Sequence, residues 1–266
     1  MTIDDDTHPL TNRDLVAAMR HLLGPEEPSV ERWVGDSDLG LAREENEDRF
    51  GNVSDTVFVI ADGMGGHSGG ALAAETVIEA VRGVPTMMFD LGPDQFALTV
   101  NEAVRAANAH VGAGRSGSTM TALGVRAGRA TVVNVGDSRA YRLRGDRLEQ
   151  LTRDHTLRNL TKSLTPAQDD ETVELAADGP AGALTSFLGI EPANLSVDSF
   201  SVGLEPGDRF LLCTDGVHHQ VDQEQIRATL ASCDCAGAVT ELLERAASAG
   251  GWDNATAMVI DVGGRS

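Results

Sequence analysis

Residues 56–67 read Thr-Val-Phe-Val-Ile-Ala-Asp-Gly-Met-Gly-Gly-His. Thr56 to Ala61 form an unbroken apolar, β-branched run without alternation, which predicts a strand buried on both faces. The run stops at Asp62, a residue type that is poor in strands and costly to bury alone. Three other runs share this arrangement. Ala130 to Val135 leads into Gly136-Asp137, Phe210 to Thr214 leads into Asp215-Gly216, and Ala255 to Ile260 is preceded by Asp253-Asn254. Further strand-like segments fall near 32–40, 118–127, 138–144 and 196–203. Helical periodicity covers 69–84, 94–111, 222–232 and 235–248. Hairpin-like turns such as Arg144-Gly145-Asp146-Arg147 join strands directly, which argues against strict βαβ alternation. The expected class is α+β, with antiparallel sheets covered by helices.

Around this frame the chain is ordinary in size and unusual in charge. It has 266 residues and a mass of 28.0 kDa, enough for one sizeable domain. Lys and Arg total 21 against 41 for Asp and Glu, a net charge of −20. That charge repels a phosphate backbone and disfavours anionic membranes, so neither nucleic acid nor membrane is an expected partner. Lysine occurs once, at Lys162, after Thr161 and outside any Gly-Lys-Ser/Thr or Val-Ala-Ile-Lys context, which excludes a Walker-type loop and a kinase signature. Cys213, Cys233 and Cys235 form no disulfide framework, and the Cys-x-Cys pair lacks a second pair for zinc. The start, Met1-Thr2-Ile3-Asp4-Asp5-Asp6, is acidic where a signal peptide is basic. No apolar run reaches ~18 residues. A soluble, cytoplasmic, monomeric protein is expected.

Residues 1–31 read as an N-terminal extension: Leu15, Val16, Met19, Leu22 and Leu23 recur at helical spacing before Gly24-Pro25 stops the helix. Residues 154–194 carry few apolar residues in register and form an insertion too long for a plain connection.

The four aspartates carry the chemistry. One aspartate at a strand end caps a turn; four in one chain, three beside glycine, point to strand ends that converge. Several carboxylates in one place repel one another unless cations sit among them. An all-oxygen donor set selects hard ions such as Mg²⁺ or Mn²⁺. Upstream, Arg43-Glu44-Glu45-Asn46-Glu47-Asp48 adds carboxylates beside an arginine, whose planar fork suits phosphate oxygens. Metals, carboxylates and one arginine are the parts of a metal-assisted phosphate hydrolase. The Gly-rich turn 63–66 fits no G-x-G-x-x-G, because the third glycine position is Ser68, and an acid precedes it.

In order and spacing, the segments Gly40-Leu41-Ala42-Arg43 with Asn46-Glu47-Asp48, ADGMGGH at 61–67, GSTMTAL at 117–123, VGDSRAYR at 135–142, LTRDHT at 151–156, Leu184-Thr185 with Leu188-Gly189, LCTDG at 212–216 and WDNAT at 252–256 resemble the metal-dependent type 2C (PPM) serine/threonine protein phosphatases in their bacterial form. The resemblance implies a four-layer αββα sandwich, with two central antiparallel sheets flanked by helices and a catalytic domain over 32–264. It makes 154–194 a flap beside the active site. It implies two core Mn²⁺ or Mg²⁺ ions and a third, weaker one. Asp62 would bridge two ions, with the Gly63 carbonyl, Glu47 and Asp48 on one side and Asp215 and Asp253 holding the other. Asp137 would recruit the third, and Arg43 would bind phosphate. The substrates would be phosphoserine and phosphothreonine proteins, targets of a serine/threonine kinase; the alternative is a catalytically silent relative that binds phosphoproteins. Three positions depart from the family pattern. Met64 stands where many eukaryotic relatives place the proposed general-acid histidine, leaving His67 as the nearby candidate. His219 stands where an aspartate is common, and Ser186 replaces an arginine common in bacterial Leu-Thr-Arg stretches.

Overall fold

A computed structural model describes residues 27–65, 68–111, 116–164 and 182–263. Their strands are β1 (Ser29–Asp38), β2 (Asp48–Ser54), β3 (Val57–Met64), β4 (Gly117–Ser118), β5 (Met120–Arg126), β6 (Arg129–Val135), β7 (Arg139–Arg144), β8 (Arg147–Gln150), β9 (Asp198–Gly203), β10 (Arg209–Cys213) and β11 (Ala255–Gly263). The helices are α1 (Ser68–Gly83), α2 (Met87–Asp90), α3 (Pro93–Val111), α4 (Leu157–Leu164), α5 (Asp215–His218), α6 (Gln223–Ser232) and α7 (Cys235–Ser248). One sheet runs β1-β11-β10-β7-β8. The other runs β2-β3-β5-β6-β9, with short β4 also on β3. Every strand pairing is antiparallel.

The unalternating runs are explained by what lies on each side of them. Along β3, Val57, Val59 and Ala61 face a core shared with α1 and α3, including Ala73, Val77, Phe96 and Val100. Phe58 and Ile60 face a second core between the two sheets, with Leu123, Phe210, Leu212, Met258 and Ile260. On the other sheet, Leu211, Cys213, Ala257 and Val259 pack outward against Ile226, Leu230, Val239 and Leu242 of α6 and α7. Successive strand residues point to opposite faces, so a strand with apolar layers on both sides is apolar at every position. Three cores between four layers give the αββα sandwich. The two outer helices start on local signals: Asp222 accepts from Gln225 N at 2.8 Å while the Gln225 side chain accepts from Asp222 N at 3.0 Å, and Asp234 caps α7 through Gly237 N at 2.7 Å.

The expected strand near 32–40 starts earlier, at Ser29, so residues 29–31 of the expected extension belong to β1. The insertion is not featureless: α4 lies within it. The amphipathic stretch 15–23 and most of the insertion, 165–181, lie outside the described residues.

Candidate active site

Antiparallel pairing of β10 with β11 sets the end of one strand beside the start of the other. Asp215, two residues past Cys213, and Asp253, two before Ala255, therefore meet at the same end of that sheet. On the other sheet Asp62 lies near the end of β3, directly paired with Asp48 at the start of β2. Asp137 follows β6. A cleft of about 270 Å³ at this end is lined by Arg43, Glu47, Asp62, Gly63, Met64, Thr119, Asp137, Leu184, Asp215 and Asp253, with Gly65, Gly182 and Asn254. Convergence of the four strand-end aspartates holds.

The floor is held by hydroxyls and amides. Thr119 Oγ1 accepts from Asp62 N at 2.9 Å and lies 2.8 Å from Ser138 Oγ. Thr119 N in turn donates to Asp62 O at 2.9 Å, so the strand end is clamped from both sides. Asp48 is buried, and its Oδ2 accepts from Thr214 Oγ1 at 2.8 Å and Thr256 Oγ1 at 2.7 Å. Those bonds join β2 of one sheet to the ends of β10 and β11 of the other. Asp48 is not among the cleft-lining residues; it lies beneath them and ties the two sheets together. Asn254 accepts from Glu47 N at 2.8 Å and donates to Leu39 O at 2.8 Å and Glu45 O at 3.1 Å, which fixes the loop carrying Arg43 and Glu47. A Cβ on Gly63 would come within 2.2 Å of Gly70 O, so only glycine lets the start of α1 approach β3 here.

The electrostatics are one-sided. Burial, then the charges of Asp48, Asp215, Asp137 and Asp253, push Asp62 well above the usual carboxylate range. Burial pushes Asp137 up to about 8, reinforced by Asp215 and Asp154. Burial pushes Asp48 up to about 7 against its two threonine bonds. Asp215 and Glu47 are raised as well, first by burial. Glu47 Oε1 and Asp215 Oδ1 are buried without a hydrogen-bond partner. The neighbouring cation is Arg43 at the rim, whose Nη2 donates to Asp253 Oδ2 at 2.7 Å. His219 Nδ1 lies 3.6 Å from Asp215 Oδ2, and the buried His218 Nε2 lies 3.0 Å from the Asp137 carbonyl. Among the described residues, no three Asp, Glu, His or Cys side chains already close on one point as a metal cage. The donor set nevertheless fits hard cations: it is all oxygen, negatively charged, partly unpartnered, and short of positive charge.

Of the residues singled out in the sequence, Arg43, Glu47, Asp62, Gly63, Asp137, Asp215 and Asp253 line the cleft together. His67 lies outside the described residues. Sequence reasoning assigned no role to Thr119, Thr214, Thr256 and Asn254. Their only signal was their position inside the GSTMTAL, LCTDG and WDNAT segments.

Residues 42–254 match the family described as protein phosphatase 2C. The chain is 34% identical to the serine/threonine protein phosphatase PstP of Mycobacterium tuberculosis over 88% of its own length, and spans 45% of the length of that relative. It is 32% identical to the protein phosphatase PhpP of Streptococcus pneumoniae, over 85% of this chain and 95% of PhpP. A crystal structure of the PstP catalytic domain in complex with two manganese ions superposes with a TM-score of 0.74 at 30% identity, covering 87% of this chain and 98% of that one. The family match over most of the chain and the identity to these relatives show that the chain belongs to the protein phosphatase 2C family.

Proposed function

We propose that this chain is a metal-dependent serine/threonine phosphoprotein phosphatase. The observation that carries the reading is the cleft itself: Asp62, Asp137, Asp215 and Asp253 meet at one sandwich end beside a rim arginine, and burial raises the proton affinity of Asp62, Asp137 and Asp215. Asp62, Asp215, Asp253, Glu47 and the Gly63 carbonyl are the groups to hold two Mn²⁺ or Mg²⁺ ions, with Asp137 toward a third. Asp48 acts beneath them, holding the sheets in register. When bound, such ions lower the pKa of water and neutralise charge on the phosphoryl group.

The chain's own residues supply the rest. Arg43 is exposed enough to reach a substrate phosphate, and its planar fork can take two phosphate oxygens. Doing so means exchanging its bond to Asp253 for one to substrate. In the overall reaction water adds to phosphorus and the P–O bond to the serine or threonine oxygen breaks. That oxygen leaves with a proton, and His67 is the proposed donor. Leu184 and Gly182, from the proposed flap, border the cleft. Residues 32–264 are accordingly read as the catalytic domain, and kinase-phosphorylated proteins as its substrates. No observation favours a silent phosphoprotein-binding role, since the four acids are all in place. Release of phosphate from a phosphothreonine peptide, with and without Mn²⁺ and beside a phosphotyrosine peptide, tests the reading. Mn²⁺-dependent release from phosphothreonine supports it, and none contradicts it.

A further inference from the structure

Beside the cleft, on the side of Arg43 and Asp253, two large apolar side chains stand in solvent: Leu41, 76% exposed, and Trp252, 67% exposed. They are neighbours in space. Leu41 N and Ala42 N both donate to Gly251 O, at 2.7 and 3.2 Å. Gly250 and Gly251 have φ of 141° and 55°, and a Cβ on them would come within 2.2 Å of Trp252 Nε1 and 2.9 Å of Leu41 Cγ, respectively. Two glycines in left-handed conformation thus form a bare backbone patch on which the indole and the leucine rest side by side. The patch is held from below by Asn254, whose amide donates to Leu39 O at 2.8 Å. It is continuous with the cleft: Arg43 lies two residues after Leu41, Asp253 directly follows Trp252, and the two polar groups are in contact at 2.7 Å.

Nothing in phosphoryl chemistry calls for an indole here. Water-exposed tryptophan beside leucine at the mouth of a cleft is the composition of a recognition surface. The adjoining loop is acidic: Asp38, Glu44 and Glu45 are exposed, with Arg43 as the cation among them. That loop repels acidic flanking residues and leaves apolar contact as the favourable interaction. We propose that Leu41 and Trp252 form a ledge that receives a bulky apolar side chain of the substrate, close in sequence to the phosphorylated residue. The ledge would make the enzyme selective among phosphoproteins, and it rests on the phosphatase reading above.

The test uses the full chain with Mn²⁺ and phosphothreonine peptides of equal charge, with phenylalanine or glycine beside the phosphothreonine on either side, plus an aspartate version. Wild type is expected to prefer the phenylalanine peptide on one side by about tenfold in kcat/KM, equivalent to ~1.4 kcal/mol, expressed mainly in KM. The aspartate peptide should be the poorest. Trp252→Ala should bring the phenylalanine-to-glycine ratio close to one, Leu41→Ala should lower it less, and Trp252→Phe should keep most of it. Phosphate release with an unchanged ratio in Trp252→Ala overturns the ledge and leaves the phosphatase reading standing. No release from any peptide overturns both. Concentration-dependent dimerisation in sedimentation, lost in Trp252→Ala, would assign the patch to a second copy of the chain and overturn the ledge.

Discussion

The two ends of the β10–β11 strand pair treat buried aspartate in opposite ways. At one end Asp208, whose side chain is fully buried, is held by Arg144 through two bonds of 2.6 Å. Beside it Asp261 is held by Arg209 at 2.6 and 2.9 Å, and Arg209 also donates to the Leu230 and Cys233 carbonyls. At the other end Asp215 has an oxygen with no partner, Asp62 and Asp137 are pushed toward protonation, and the nearby arginine sits on the rim. The first end is a finished structural ion-pair network. The second has the same residue type without its cation. Burying charge is tolerated only when it is matched, so the difference marks which end awaits a ligand.

The largest expected effect breaks the unmatched end. Asp62→Asn should lower Mn²⁺-dependent hydrolysis of a phosphothreonine peptide by at least about 10³-fold, equivalent to ~4 kcal/mol of transition-state stabilisation. In EDTA the same variant should melt at or above the wild-type temperature, because the amide needs neither a buried charge nor a bound proton. A variant that keeps its activity, or melts well below wild type in EDTA, would make Asp62 structural like Asp208.

Arg144→Ala breaks the matched end. It leaves Asp208 buried and uncompensated, at a cost of about 3 kcal/mol, the low end of the range because Arg144 is about one-third exposed. Thermal melts should show Tm lowered by ~6–12 °C, while the rise in Tm on adding Mn²⁺ stays as in wild type. A lost Mn²⁺ response would couple the two ends and weaken the contrast.

Arg43→Ala tests the rim arginine at the unmatched end. If it contacts phosphate, kcat/KM on a phosphopeptide should fall about 10- to 150-fold, the range of a charge-assisted contact. The Mn²⁺-induced rise in Tm should persist, since Asp253 is released rather than removed. Steady-state kinetics and melts on one preparation decide it, and an unchanged kcat/KM would sink the assignment.

A further test is a pH dependence. Carboxylates with raised pKa bind protons in the folded chain that the unfolded chain, with ordinary carboxylates near ~4, does not bind. Stability in EDTA should therefore rise as pH falls from about 8.5 toward 6.5, by up to ~1.4 kcal/mol per pH unit for each proton taken up. Burial depresses His155 and His218, so these imidazoles act in the opposite sense. Below about 6.5 the unfolded chain takes up their protons, which offsets part of the carboxylate gain and flattens the rise. Denaturant melts in EDTA should show stability climbing most steeply between roughly pH 8.5 and 6.5, and varying less with pH when Mn²⁺ is present. Asp62→Asn should show a shallower slope over that range.

What the sequence revealed follows from burial. β3, β6, β10 and β11 were legible because each is packed on both faces and so reads as a continuous apolar run. β2 was not: it is a sheet edge, and Asp48-Arg49-Phe50-Gly51-Asn52-Val53-Ser54 has no apolar run to detect. α4 escaped because its sequence, Leu-Arg-Asn-Leu-Thr-Lys-Ser-Leu, is polar and sits in a stretch otherwise lacking register. The cleft aspartates were legible because each interrupts or borders an apolar run. Their supports were not: Thr214 and Thr256 bond Asp48 across 166 and 208 residues of chain, a link that no local pattern encodes. The Arg43–Asp253 pair, separated by 210 residues, escaped for the same reason.

The most direct measurement is calorimetric titration of the metal-free chain with Mn²⁺ near pH 7.5, repeated in two buffers of different ionisation enthalpy. Cations entering a cluster of partly protonated carboxylates must displace protons. Wild type should bind more than one ion per chain with net proton release to the buffer, and Asp62→Asn should lose most of both. Absence of binding, binding without proton release, or undiminished binding by Asp62→Asn would contradict a metal centre built on the unmatched aspartates.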